Sequence, residues 1–527
     1  MFFKFNKTLK KNNKQQETDP YQEQNNTSTS KKSNPQDRLT FKSVKHAMQS
    51  FKSFFHHSND LVIREVSIQN SKALVIFFEN LVDKNIIDRD VLKRLIKLDA
   101  GYHLEDLIEK FPLEDSNFTS TKEQVADKIL RGWVYIYIEK VQEGFMFDAA
   151  SVPARNITSP EVETHILGPQ VAFAENLSTN ISLIRNYIRN PDLVTESIKA
   201  GEVSKTEVTV MYVHGLADPE NVHTVRQRIK DLDFDGIIDS NILVQLIEDN
   251  STTIFPQISV TERPDTVGSS LLEGKVAILV DGSPFVVTCP NTFIDFFSTN
   301  EDSYIRWNMA TFIRMVRLIA MALSVLFTPM YVASVTYHYE VIPQAMLVPL
   351  AESRSRVPFP PLFEALLLEF IIELLREAGA RLPAKVGQTM GIVGGIVIGQ
   401  AAVQAGFTSN ILIMIVALGA LASFTAPSYL MGTAIRVIRF PMIIMAGLWG
   451  FIGMMFGVTF LLLHLIRQTS LGRPYLAPVY PLRISDLKDS IVRLPWQFFN
   501  KRPVFTRNHS DKRTHAQSLA KEKDIDE

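Results

Sequence analysis

The chain has 527 residues, 55 basic and 56 acidic, a net charge of −1 and 46% hydrophobic side chains. That balance excludes a dedicated nucleic-acid binder, which carries a basic surplus, and the length allows about three domains. The average hides unlike parts. Residues 386–466 contain only Arg436 and Arg439 as full charges, with His464 near the end, which excludes a protein that is water-soluble throughout.

Residues 1–57 hold 11 Lys/Arg against 4 Asp/Glu. Between residues 6 and 37, Asn, Gln, Lys, Ser and Thr dominate, and large apolar side chains are nearly absent. Such a segment cannot bury enough surface to offset the entropy of ordering. We therefore expect 1–57 to be a disordered basic tail, either simply solvated or touching anionic lipid headgroups. Its lysines precede no apolar stretch of signal-peptide length, so the N-terminal half should stay in the cytosol. The single Cys289 excludes an intramolecular disulfide framework and a cysteine-based zinc site.

Residues 58–305 read as a cytosolic α/β region. Trp133–Ile138 and Val208–Val213 are β-branched and aromatic runs of strand length. Asp218-Pro219 is an N-cap followed by proline at the first helical position, with Val222, Val225 and Ile229 at helical spacing. Ser240 reads as the cap of a helix carrying Leu243, Leu246 and Ile247. Lys275–Val280, Asp281-Gly282 and Ser283–Thr288 form a hairpin signal with a two-residue primed turn. Alternating helices and strands favour a mixed sheet with packed helices, and Pro153 to Pro169 marks a junction between two subdomains.

An α-helical polytopic membrane bundle is expected over 306–467. Stretches 315–337, 386–406, 409–430 and 440–466 each reach the about 20 apolar residues a span needs. A fifth, 361–376, is interrupted by Glu364, Glu369 and Glu373 and reads as re-entrant or interfacial. Arg306, Arg314 and Arg317 precede the first span, and residues 467–527 hold 12 basic against 7 acidic side chains. Both ends therefore belong in the cytosol, which requires an even number of crossings, four or six. Residues 468–527 are expected to form a cytosolic amphipathic helix and tail. Ile484, Leu487, Ile491 and Leu494 carry its apolar face, and Trp496, Phe498, Phe499, Lys501 and Arg502 serve as interfacial anchors or a partner-docking surface.

Gly387, Gly391, Gly395 and Gly399 fall on one helix face, and Gly453 and Gly457 repeat the device. Absent side chains let a second helix approach closely, within one bundle or between subunits. Gln400 and Gln404 share a face, either lining a pore or bonding between helices. Glu369, Glu373 and Glu377 form a carboxylate stripe, either part of a cation pathway or a solvated acidic face partly neutralised by Arg376 and Arg381. Catalytic motifs are missing: there is no GxxxxGK[ST], HExxH or GxSxG. His56-His57 lacks accompanying ligands for a metal. The Asp231-Asp233-Asp235-Gly236 run has Ile242 where a calcium loop needs Glu. No cofactor is expected.

Three stretches together resemble the A-subunit family of GerA-type spore germinant receptors. They are Glu262-Arg263-Pro264-Asp265 with LLEGKVAILVDGSPFVVTCP (271–290, containing Asp281 and Gly282), PFPPLFEALLLEFIIELLREAGARLP (358–383) and GIVGGIVIGQAAVQAGFTSNILIMIVALGALASFTAPSY (391–429). The resemblance runs from about residue 58 to 483. It implies a multi-pass protein of the spore inner membrane, combined with B and C subunits and assembled as a homo-oligomer. Such a complex would sense a small nutrient, mainly through the B subunit, and trigger ion release. It further implies either an oligomeric ligand-gated cation channel or a non-conducting scaffold that serves a separate channel.

Overall fold

The computed structural model describes residues 39–93 except 40 and 69–70, then 117–118, 121–151, 159–383, 399–483 and 502–507, with isolated positions between and after. Order begins before the expected boundary. α1 (Val44–Phe54) is capped by Ser43, whose side chain accepts from His46 N. It buries Val44, Ala47 and Phe51, with Phe41 and Phe55 flanking it, against the first sheet. The basic composition of 1–57 obscured this apolar face, so residues 41–57 belong to the first subdomain rather than to a tail.

That subdomain contains β1 (Leu61–Ile68), β2 (Ser71–Phe78), the turn α2 (Lys84–Ile86), β3 (Asn117–Phe118), α3 (Lys122–Ile129), β4 (Trp133–Ile138) and β5 (Glu143–Asp148). Its sheet order is β1-β2-β4-β5-β3. The second subdomain contains α4 (Leu177–Tyr187), β6 (Leu193–Ala200), β7 (Thr206–Val213), α5 (Pro219–Lys230), α6 (Ser240–Ile247), β8 (Ser259–Thr261), α7 (Pro264–Leu272), β9 (Val276–Val280) and β10 (Val286–Cys289). Its order, β6-β7-β9-β10-β8, repeats the first. Among the described residues every strand pair is antiparallel, where a mixed sheet was expected. Short links such as those between β1 and β2 and between β4 and β5 can only return the chain antiparallel.

Local chemistry places the second subdomain's helices. Asp218 caps α5 with Pro219 at its first position, and Val222, Val225 and Ile229 are buried. The cap of α6 is Asp239; Ser240 is instead its first residue, and its hydroxyl donates to Phe285 O at 2.6 Å. In the turn after β9, Ser283 N donates to Val280 O, and Gly282 takes φ +85°. The ladder resumes only at Val286, opposite Leu279, so the loop is longer than the two-residue turn expected. Helices α4 and α7 cover one sheet face and α5 and α6 the other.

The two subdomains meet through buried polar groups. Arg185, 1% exposed, pairs with Asp60 and donates to Ser58 Oγ at 3.1 Å. His56 stacks on His214 at 3.9 Å and lies 3.0 Å from Asp192.

After α8 (Glu301–Tyr304) come α9 (Trp307–Thr336), α10 (Gln344–Arg354), α11 (Pro361–Arg381), α12 (Gly399–Gln404), α13 (Asn410–Ser423) and α14 (Tyr429–Arg467). α9 starts beside the second subdomain and ends at the far end of the bundle. α11 returns: Leu362 lies against Gly447 at the far end, and Arg376 against Ser423 and Phe424 at the near end. α11 is thus a helix of the bundle rather than an interfacial segment. Most of 386–398 lies outside the described residues.

α14 is a hairpin. At Gly450 the backbone leaves helical geometry, with φ 61° and ψ −142°. A Cβ on Gly453 would meet Met445 O at 2.1 Å, and one on Gly457 would meet Met442 Sδ at 2.5 Å. Residues 15 apart on one straight helix would lie roughly 22 Å apart, so the chain reverses. An inner arm (429–449) runs outward and an outer arm (451–467) runs back. This replaces the single span expected over 440–466. The apex rests on the end of α9, where Tyr337 donates to Leu448 O at 3.0 Å.

Candidate functional site

The Glu262-Arg263-Pro264-Asp265 motif opens α7 and clasps the linker between the subdomains. Glu262 Oε1 accepts from Val162 N and Glu163 N, both at 2.7 Å. Arg263, fully buried, donates to Glu163 O at 3.2 Å, Pro169 O at 2.6 Å and Asp265 Oδ1 at 3.1 Å. Asp265 Oδ2 accepts from Tyr304 at 2.8 Å, and Glu301 Oε1 accepts from Ile166 N and Leu167 N. Pro264 occupies the first turn, where its missing N–H costs nothing. Asp281 accepts from Leu177 N at 3.4 Å, near the start of α4. Burial and the neighbouring Glu262 charge push the Glu163 carboxyl up to about 7, although Thr261 donates to it.

From this clasp the chain enters α9. Asp302, 1% exposed, receives Arg314 Nε at 2.8 Å and Arg317 Nη1 at 3.2 Å. Burial raises its carboxyl, and the two guanidiniums more than reverse that, holding it below the usual range. Lys275, which is buried, makes a second pair nearby with the half-buried Asp295, 2.8 Å apart. Lys275, Asp295, Arg314 and Arg317 border a cavity of about 1100 Å³ between the second subdomain and the near end of the bundle.

The chain leaving the bundle is gripped by the same subdomain, which the expectation of a separate 468–527 segment missed. β11 (Thr469–Ser470) and β12 (Arg473–Pro474) form a small hairpin. Leu471 is buried in the core of the second subdomain. Ser470 Oγ donates to Gln257 O at 2.7 Å, Arg473 Nη2 to Asp218 Oδ2 at 2.6 Å, and Tyr475 to Pro256 O at 2.6 Å. His464 on the outer arm lies 2.8 Å from Thr253 Oγ1. The C-terminal amphipathic pattern falls largely outside the described residues. Arg493 lies over Trp496, and its backbone pairs with Thr311 at the start of α9.

Inside the bundle the carboxylates of α11 face other helices rather than solvent. Glu369, 1% exposed, pairs with Arg439 on the inner arm at 2.6 Å and accepts from Thr328 on α9 at 3.0 Å. Arg439 also donates to Ser324 Oγ and to Gly419 O. Glu373 contacts Arg376 at 3.0 Å and Arg436 at 3.8 Å. Glu364, fully buried, accepts from Ser409 N at 2.6 Å and Thr408 Oγ1 at 3.0 Å beside the N-terminus of α13, where negative charge is favoured. Only Glu377, paired with Arg381, is solvated as the acidic-face reading expected. Sequence spacing exposed the acids, whereas their partners lie 63 to 70 residues away in the only charges of the apolar run.

Gln400 and Gln404 are exposed on the outside of the chain, and among the described residues neither touches Glu369 or Glu373. Gly395 and Gly399 face open space, Gly387 and Gly391 lie outside the described residues, and Gly453 and Gly457 face the inner arm. No group of three or more potential metal ligands converges among the described residues.

Two helices, Trp307–Thr336 and Tyr429–Arg467, are apolar enough by composition to cross a membrane. The outer arm leaves Ile452, Met455, Phe456 and Phe460 more than half exposed, a surface that water would not tolerate. The molecule is a membrane protein whose soluble part is fastened to the first and last helices of its bundle. The Bacillus/Clostridium GerA spore germination protein model matches residues 49–505. Spore germination protein GerQA of Bacillus cereus is 45% identical over 490 residues, 93% of this chain and 98% of its own length. Spore germination protein KA of Bacillus subtilis (strain 168) is 39% identical over 453 residues, 85% of this chain and 83% of its own. The solved N-terminal domain of the A subunit of the Bacillus megaterium spore germinant receptor GerK3 aligns with 48% of this chain and 97% of that chain, at 29% identity and TM-score 0.39. The chain belongs to the GerA family of spore germination proteins.

Proposed function

We propose that this chain is the A subunit of a nutrient-sensing germinant receptor in the spore inner membrane. It works with B and C subunits and carries their sensing event to ion release. The observation that carries this reading is the double grip beside the second subdomain, through Asp302 of α8 on Arg314 and Arg317 of α9 and through Leu471 and Arg473 after α14. A ligand shifts such a unit only by its differential affinity for two arrangements. A grip on both the first and last helices converts a rotation of the soluble part into a movement of the bundle. Six crossings fit the alternating directions of α9, α11, α13 and the two arms of α14, with one further span supplied by the apolar run 386–406 that the sequence predicts.

Conduction through a homo-oligomer is favoured by Gln400 and Gln404, exposed on an apolar segment that needs a polar neighbour in lipid. The non-conducting scaffold reading is favoured by a different observation: Glu369 and Glu373 are both paired within one chain. Purified subunit reconstituted in liposomes separates them. Cation flux that falls in Gln400→Leu supports conduction. Membranes as tight as empty liposomes, in the presence of B and C subunits and nutrient, support the scaffold.

A further inference from the structure

α11 and the inner arm of α14 lie antiparallel, with Leu362 against Gly447 at one end and two ion pairs toward the other. Glu369 meets Arg439, and one turn along, Glu373 meets Arg436. Glu369 is thus neutralised by Arg439, while Glu373 is shared between Arg376 of its own helix at 3.0 Å and Arg436 at 3.8 Å. The arginines are incompletely satisfied. Nε of Arg376, Arg436 and Arg439 are buried without a hydrogen-bond partner, so each guanidinium is held along part of its edge only. A guanidinium held at one edge lacks the second bond of a bidentate pair, which supplies both energy and geometric specificity.

The displacing element is present in the same chain. The outer arm continues into Gln468–Tyr475, seated in the second subdomain with Leu471 in its core. Gly453 and Gly457 pack the outer arm directly on Met445 and Met442 of the inner arm, so the arms move together. A shift of the second subdomain is thereby passed to the inner arm, which carries Arg436 and Arg439.

We propose that Glu369–Arg439 and Glu373–Arg436 form an intramembrane latch that holds the bundle closed. Displacement of the α14 hairpin opens it, bares the Glu369 carboxylate and leaves Glu373 with Arg376 of its own helix alone; a bared carboxylate in such a place attracts cations. Arg436 and Arg439 are positioning residues in this scheme. The proposal rests on the A-subunit reading above and adds the moving part and its catch.

The test uses spores in which this receptor, with its B and C subunits, is the only one. Basal potassium release without nutrient is measured, and subunit level is followed by immunoblot of the membrane fraction. Arg439→Gln and Arg436→Gln should raise basal release by about tenfold or more, a shift of the order one lost buried pair produces. The swap Glu369→Arg with Arg439→Glu should return it toward the native rate. Native basal release in both single variants, or a swap as leaky as they are, overturns the latch.

If Arg439→Gln fails to accumulate, Glu373→Cys with Arg436→Cys decides. The one native cysteine, Cys289, is fully buried, so a short bis-thiosulfonate reagent joins only the new pair. Cross-linked spores should not respond to a broth of amino acids, sugars and nucleosides, and a reductant should restore the response. A full response while cross-linked overturns the latch. Spores lacking this chain alone separate the two levels: an unchanged broth response there overturns the receptor reading itself.

Discussion

Glu163 sits where the linker crosses the motif, its backbone held by Glu262 and Arg263 and its carboxyl by Thr261. Burial, with the Glu262 charge beside it, pushes that carboxyl up to about 7. The same group ionises near about 4.3 in an unfolded chain. The folded state then holds the extra proton between these values, so stability falls as pH rises through that window and the loss is complete above it. Glu163→Gln removes this contribution. In the detergent-solubilised chain, Tm should drop less between pH 5 and pH 8 in the variant than in the native protein; equal slopes would count against the assignment. The motif residues were legible in the sequence as a resemblance, but Glu163 was not. Nothing in its neighbourhood marks it until the fold brings a residue about 100 positions away onto it.

At the level of elements, the hairpin of α14 is the clearest case of a structure hidden from composition. An apolar run of this length reads as one long span, because hydropathy is blind to the φ of a single residue. Gly450 takes φ 61° and ψ −142°, a region open essentially to glycine alone, where another residue is strained by about 1–3 kcal/mol. A Cβ there would also meet His338 at 2.6 Å. Gly450→Ala should therefore destabilise the reversal, seen as lower subunit level in spore membranes and a lower Tm in detergent. Gly379→Ala, where an added Cβ meets nothing, serves as the tolerant control. The strands and α5 were readable for the opposite reason. Their signals, β-branched runs and an Asp-Pro cap, act over a few residues and need no partner.

Across the whole molecule, two subdomains of one topology are joined by a clasped linker, and the second is tied to both ends of the bundle. The tie after α14 has separable parts, Leu471 in the core and Arg473 on Asp218. Leu471→Ala with Arg473→Gln should release it, by about 2–5 kcal/mol from the cavity alone. Limited proteolysis in native membranes should then cut within 468–483 while the helices stay protected; cleavage no faster than in the native chain would argue against a load on this tie. Sequence reading placed 468–527 apart because its charges and aromatic residues suit an interface. It could not see that one leucine in a left-handed turn, φ 49°, enters a core built 200 residues earlier.

By itself the sequence determined where the first long apolar helix begins, the strand runs, the capped α5 and the near absence of charge in 386–466. Each of these depends on periodicity or composition within about one element, which is the range over which propensity and hydropathy act. Tertiary structure alone decided that the acids of α11 are paired, that α14 turns back, and that α1 belongs to the first core. It also decided that one subdomain holds both ends of the bundle. These are properties of residues far apart in the chain, set by which surfaces exclude water and which buried charges find a partner.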